Sequence, residues 1–247
     1  MDLLMRHAME MGIPLSPKQV EAFRLYRREL LEWNKKFNLT AITQEEHVEV
    51  RHFLDSLTCL LAVRQVCAAS GGERRTSGPV RFLDVGSGAG FPGVPLKIVC
   101  PRWRVTLLEA TGKKVRFLEH LREVLGLADL EILHGRAEDW ARDPAHREQY
   151  DWVAARAVAE MPALAELTLP FARLGGYMLA MKGETAEAEV AQAERAFRIL
   201  GGELVKVIKV ALPGLAEERR LVVVRKTACA PDAYPRRPGI PTKRPLK

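Results

Sequence analysis

The stretch Arg81–Gly93, RFLDVGSGAGFPG, concentrates residue types that can hold a nucleoside-bearing ligand. Read from Asp84 it has the form D-x-G-x-G-x-G; read from Gly88 it spells G-x-G-x-x-G, the dinucleotide fingerprint. Gly86, Gly88 and Gly90 remove side chains, so the backbone can turn sharply and come close to a ligand. Asp84 stands at the end of a strand, before the first glycine. A carboxylate there can meet an ammonium group directly or through water, and it would repel a pyrophosphate. Glu109 follows about 20 residues later in LLEATGKK, where an acid can accept ribose hydroxyls of either kind of ligand. In GRAEDW, Gly135–Trp140, small Ala137 precedes acidic Glu138, a pair suited to an adenine edge. No second domain with a hydride-transfer base follows. These features favour S-adenosylmethionine over a nicotinamide dinucleotide, and methyl transfer over dehydrogenation.

Elements must carry these residues to one place. Apolar runs at VRFLDV, WRVTLLE, LEILHG, YDWVAAR, GYMLAMKG, ELVKVIKVAL and RRLVVVRKT read as strands. Helices are predicted over 93–100, 112–125, 161–174 and 185–200. Near-continuous apolar strands suit a parallel sheet covered on both faces. The last two strands are joined through Leu212–Glu218 without a helix, which predicts an antiparallel pair closing the sheet edge. The fold class is therefore α/β and Rossmann-like: a seven-stranded, mostly parallel sheet with one antiparallel edge strand and an N-terminal helical extension. Three regions follow: a helical extension and linker over 1–79, the main domain over 80–229, and a basic, Pro-rich tail over 230–247. Within the extension, Ser16-Pro17 predicts a helix start. A second helix is predicted from about 45 to 67, and SGGERRTSGP, 70–79, reads as a loop.

The chain has 247 residues, 38 Lys+Arg against 31 Asp+Glu, and a formal net charge of +7, which favours a polyanionic partner. Cys59, Cys67, Cys100 and Cys229 are scattered, with no C-x-x-C pair, so neither a disulfide framework nor a zinc site is expected. No metal is expected. No apolar run approaches the roughly 20 residues that span a bilayer. The N-terminus lacks the features of a signal peptide. The expectation is a cytoplasmic monomer with no membrane partner. The tail YPRRPGIPTKRPLK reads either as a solvated end or as an electrostatic arm for a phosphate backbone. The same choice applies to Lys113, Lys114 and Arg116.

Taken together, WNKKFNLTAIT, VRHFLDSL, FLDVGSGAGFPGVPLKI, LLEATGKKVRFL, GRAED, AARAVA and PRRPGIPTKRPLK resemble the family of glucose-inhibited division protein B, also called ribosomal RNA small-subunit methyltransferase G. The glycine loop alone indicates a superfamily; HFLDSL, the FPG-x-PL extension and the RRPG-x-P-x-K tail narrow it. Position 91 is Phe where some members carry Leu. The resemblance implies an S-adenosylmethionine-dependent methyltransferase acting on N7 of a guanosine in the 530 loop of 16S ribosomal RNA, with 16S RNA or the small subunit as partner. It places cofactor contacts on Gly86, Phe91, Glu109, Ala110, Thr111, Ala137, Glu138 and Arg156.

Guanine N7 has a lone pair and no proton, so a methyl transfer to it needs no general base, and no His–carboxylate dyad is expected. Substrate-positioning candidates are Asn38, Arg51, His52, Asp55 and Lys182. His52 and Asp55 lie one helical turn apart and can share a face. Their alternative role is a structural hydrogen bond that docks the N-terminal helices onto the sheet. Two rival readings of the chain stay open at this point. One is a methyltransferase for a small molecule or protein; the other is a non-catalytic RNA-binding assembly factor that retains the cofactor fold.

Overall fold

The computed structural model describes residues 1–69, 78–214 and 217–246. Residues 70–77 of the expected loop lie outside that set. The N-terminal region is helical: α1 (Asp2–Glu10), α2 (Pro17–Phe37), α3 (Glu45–Val48), a π-helical segment (Glu49–Leu54), α4 (Asp55–Leu57) and α5 (Cys59–Ala69). Ser16 caps α2 in a full capping box with Gln19, with Pro17 just inside, as Ser16-Pro17 predicts. The helix predicted over 45–67 instead contains the π segment, which carries Arg51 and His52 on a distorted turn, with Asp55 just after it at the start of α4. Such wide turns are frequent at functional sites. Helix α1 was not anticipated from the sequence.

The sheet contains β1 (Arg81–Val85), β2 (Arg104–Glu109), β3 (Leu130–His134), β4 (Tyr150–Arg156), β5 (Ala172–Lys182), β6 (Gly202–Val210) and β7 (Arg219–Lys226). Its order is β3-β2-β1-β4-β5-β7-β6. β1 to β5 pair in parallel, and β7 runs antiparallel to both β5 and β6, closing the sheet with the expected reversed pair. The remaining helices are α6 (Gly93–Val99), α7 (Gly112–Val124), α8 (Ala137–Trp140), α9 (Met161–Thr168), α10 (Ala186–Gln192), α11 (Glu194–Leu200) and α12 (Ile240–Lys243). The helix predicted over 161–174 ends at Thr168, because the chain already enters β5 at Ala172.

Strand alternation divides the core in two. Phe82, Trp152, Ala154, Leu179, Met181, Leu221 and Val223 face one apolar cluster, shared with α2, the π segment, α6 and α7. Leu83, Val85, Val153, Ala155, Met178, Ala180, Val222 and Val224 face the other, covered by α9, α10 and α11. Both sheet faces are thus buried, which is why these strands read as continuous apolar runs. The carboxyl ends of the parallel strands β1 to β5 point to the same edge, the place where open α/β sheets bind ligands.

Candidate active site

β1 delivers the chain into the glycine loop at that edge. Its alternation turns Asp84 the same way as Phe82, into the protein rather than towards the rim. Asp84 is fully buried and accepts a 2.8 Å hydrogen bond from Gly93 N, the first residue of α6. Burial pushes its carboxyl up to about 7, against the pull of the Gly93 hydrogen bond and Arg156. Asp84 therefore braces the loop from beneath. Its Oδ1, like the buried Ser87 Oγ, has no hydrogen-bond partner among the described residues.

The loop is held from both sides. Gly86 and Ser87 donate to Leu108 O at 2.8 and 3.1 Å. Tyr26, reaching over from α2, donates to Ala89 O at 2.6 Å. Gly90 lies at φ 101°, and a Cβ there would meet Tyr26 Oη at 2.8 Å and Val94 Cγ2 at 2.7 Å. Only glycine fits that close approach.

Glu109 ends β2 beside the loop, 6 % exposed. Gly88 N donates to its Oε2 and Thr111 N to its Oε1, each at 2.8 Å. Two backbone donors fix the carboxylate, yet a carboxylate offers about four acceptor sites, so it keeps capacity for further hydroxyls. Next to it lies a cleft of about 450 Å³ lined in part by Val85, Gly86, Ala110, Ala137, Glu138 and Val158. That size and mixed lining suit a small nucleoside ligand. Glu138 is buried, and its Oε1 accepts from Gly239 N at 2.8 Å. The glycine loop, the oriented acid and the cleft form a site that fits S-adenosylmethionine.

A second cleft, about 380 Å³, lies across the loop that follows β4. Arg51, His52, Asp55, Arg156, Lys182, Arg219 and Arg220 contribute to its lining. Val158 walls the first cleft and Ala157 the second, so this short loop separates them. Ala157 sits at φ 55°, in the left-handed region that costs an L-residue about 1–2 kcal/mol. At the centre Arg156 donates to Asp55 Oδ2 and Arg51 O at 3.1 Å each, and meets His52 Nδ1 at 3.2 Å. His52 Nε2 faces Thr40 Oγ1 at 2.9 Å. Burial first, and the Arg156 charge second, lower His52 to about 3, so its ring is neutral at pH 7. Burial raises Asp55, opposed by Arg156 and Arg219. His52 and Asp55 thus meet through Arg156, and this triad docks the N-terminal helices onto the end of β4.

Phe91 joins the two halves. Its ring, 4 % exposed, stacks on His52 at 4.4 Å and on Tyr26 at 5.3 Å, with the Arg156 guanidinium 5.0 Å from its centroid. Lys182 Nζ donates to Ala159 O and Glu189 Oε2, both at 2.6 Å, and so fastens the post-β4 loop. Asn38 is exposed at the C-terminal end of α2 and lines neither cleft. Two contributors escaped the sequence reading, Tyr26 and Arg219, and the C-terminal segment, read there as a solvated end or a phosphate arm, lies at the first cleft instead. Arg219 is 26 % exposed at the second cleft, its Nε 3.6 Å from Asp55 Oδ1. Nothing local marks Tyr26 or Arg219, because tertiary packing alone brings them here.

Among solved structures, the [4+2]-cyclase SpnF aligns with a TM-score of 0.53 at 17 % identity, over 70 % of this chain and 81 % of that one. This likeness concerns the fold alone, which supports many chemistries. The sheet order and its reversed strand define a Rossmann-like, class I methyltransferase fold. A family model described as rRNA small subunit methyltransferase G matches residues 19–222. The chain is 49 % identical over 246 residues to the ribosomal RNA small subunit methyltransferase G of Roseiflexus castenholzii, covering 100 % of both. It is 52 % identical over 239 residues to the protein of that name from Pelotomaculum thermopropionicum, covering 97 % of this chain and 95 % of the relative. The chain belongs to the ribosomal RNA small subunit methyltransferase G family.

Proposed function

We propose that the chain methylates N7 of a guanosine in the 530 loop of 16S ribosomal RNA, using S-adenosylmethionine held between the glycine loop, Glu109 and the Ala137–Glu138 turn. The observation that carries this reading is the bond from Gly88 N to Glu109, which fixes loop and acid as one unit beside the cleft, in a chain aligned end to end with its relatives. When bound, S-adenosylmethionine supplies an electrophilic methyl group on a sulfonium centre.

The chain's own residues bind and orient. Glu109 takes the ribose hydroxyls with the acceptor sites its two backbone donors leave free. Ala137 and Glu138 face the adenine side, and Gly86 brings backbone to the cleft wall. The guanosine enters the second cleft, where Arg51 and Arg219 stand at the mouth as its phosphate and base contacts. N7 carries no proton, so no residue has to remove one, and neutral His52 fits a walling role. Asp55 places a carboxylate in the cleft that receives a purine gaining positive charge, while Arg156 holds that carboxylate in position. Lys182 keeps the post-β4 loop in place between the two ligands. Alignment of acceptor and donor, and exclusion of water, supply the rate.

A ribosomal RNA substrate favours action in the cytoplasm, and we infer that the chain acts there as a monomer. Among the described residues no helix is long and apolar enough to cross a membrane. Incubation with a methyl-tritiated donor tests the reading. Label should enter small subunits that lack the modification. Label confined to protein or small molecules would refute it.

A further inference from the structure

The C-terminal segment carries the strongest remaining signal. Its composition, five basic residues and no acid from Tyr234 on, suggests a solvated or RNA-bound arm. The structure instead lays it along α9 and up to the first cleft. Arg142 donates to Pro235 O at 2.6 Å and Arg147 to Tyr234 O at 2.9 Å, so two side chains fasten its backbone. Glu166, wholly buried on α9, then takes Arg236 in a fork: its oxygens accept from Arg236 Nε at 2.9 and 3.1 Å and from Nη2 at 2.6 Å, and the Arg236 amide adds a bond at 2.7 Å. A carboxylate buried without such pairing would carry a large desolvation cost. Beyond this anchor, Gly239 N holds Glu138 at 2.8 Å, Pro241 is buried, and Thr242 and Lys243 line the cleft with Gly86, Ala137 and Glu138.

We infer that residues 236–243 form a wall of the S-adenosylmethionine site, with Gly239 orienting Glu138 and with Thr242 and Lys243 at its mouth. The inference rests on the reading that the first cleft holds the cofactor. On this account Arg236 is spent on Glu166 rather than on phosphate, and the tail's basic residues serve cofactor binding before RNA binding. The segment is a positioning element: it acts on the ligand partly through Glu138.

Deleting 238–247 keeps the Arg236 anchor and removes Gly239, Thr242 and Lys243. In calorimetric titration with S-adenosylhomocysteine, the truncated protein should bind at least tenfold more weakly. Its affinity for small subunits without cofactor, and the salt dependence of that affinity, should stay within twofold. Thr242→Trp, at an exposed position, fills the cleft from the tail side and should weaken the same ligand at least tenfold; it decides the matter if thermal unfolding shows the truncation to be misfolded. Unchanged cofactor affinity in the folded variants overturns the inference. So does weakened subunit binding with a shallower salt slope, the behaviour of a phosphate arm. Glu109→Ala separates the two levels: if it too leaves cofactor binding unchanged, the cleft assignment has failed, whereas loss in Glu109→Ala alone condemns only the tail.

Discussion

Lowering the pH from 7.5 to 3 should pull on two buried groups in opposite directions. His52 has an ordinary value of 6.5 and lies at about 3 in the folded chain. Between those limits the unfolded chain binds a proton that the folded chain refuses, so the His52 contribution is present above pH 6.5 and is lost as pH falls towards 3. Asp84 has an ordinary value of 3.8 and lies at about 7. Here the folded chain keeps the proton, so this contribution is present below pH 3.8 and is lost as pH rises through 7. At about 1.4 kcal/mol per unit, each shift is worth on the order of 4 kcal/mol at the limit, and the two windows nearly coincide. Wild-type stability should therefore vary little with these two groups, which mask each other. Urea unfolding from pH 3 to 7.5 of the wild type, His52→Gln and Asp84→Asn separates them. The gap between wild type and His52→Gln should shift in favour of the wild type by about 2–4 kcal/mol as pH rises from 3 to 6.5. The gap for Asp84→Asn should move against the wild type by a similar amount between pH 4 and 7. Curves that stay parallel would show that neither group titrates as its surroundings require, and would remove the electrostatic description of the site.

Three further outcomes follow from the same geometry. Gly90→Ala puts a Cβ against Tyr26 Oη and Val94 at φ 101°, and should lower unfolding stability by about 2–4 kcal/mol; an unchanged urea midpoint would contradict the packing. Arg156→Met leaves buried Asp55 with only Arg219 at 3.6 Å, raising Asp55 further. It should cost about 2–4 kcal/mol at pH 7 and clearly less at pH 3, below the ordinary range of the Asp55 carboxyl, which burial raises; an equal loss at both pH values would mean the ion pair is not the cause. Ala157→Gly relieves the left-handed strain in the loop between the clefts and should raise the melting temperature while lowering kcat. A variant that is both less stable and fully active would show that the strain plays no part.

Much of this fold was legible because its signals are local. VRFLDV, WRVTLLE and YDWVAAR are apolar on both faces, as interior parallel strands must be, and Ser16-Pro17 carries a helix start in its own chemistry. The π segment was not legible: Val48, Phe53 and Leu57 satisfy a helical stripe equally well with an extra residue in one turn. The end of α9 was hidden by Leu167, Leu169 and Phe171, apolar residues that serve a helix and the entry to β5 alike. At the site, Glu109 stands where its spacing placed it, beside the loop. The inward turn of Asp84 could have been read from its sharing a strand face with Phe82, yet motif analogy pointed it at the ligand. The tail misled for a physical reason. Its charge spoke for solvent, while the residue that claims Arg236 is a lone carboxylate in the apolar helix MPALAELT, visible only in three dimensions.

The central claim is that this site delivers a methyl group to one nitrogen of one base. Small subunits lacking the modification, treated with the wild-type protein and S-adenosylmethionine, can be stripped of protein and their 16S RNA digested for mass spectrometry. The account requires a single new methyl group, on guanine N7, in a fragment from the 530 loop, and none from Glu109→Ala. A methyl group on another atom or another region of the RNA would contradict it.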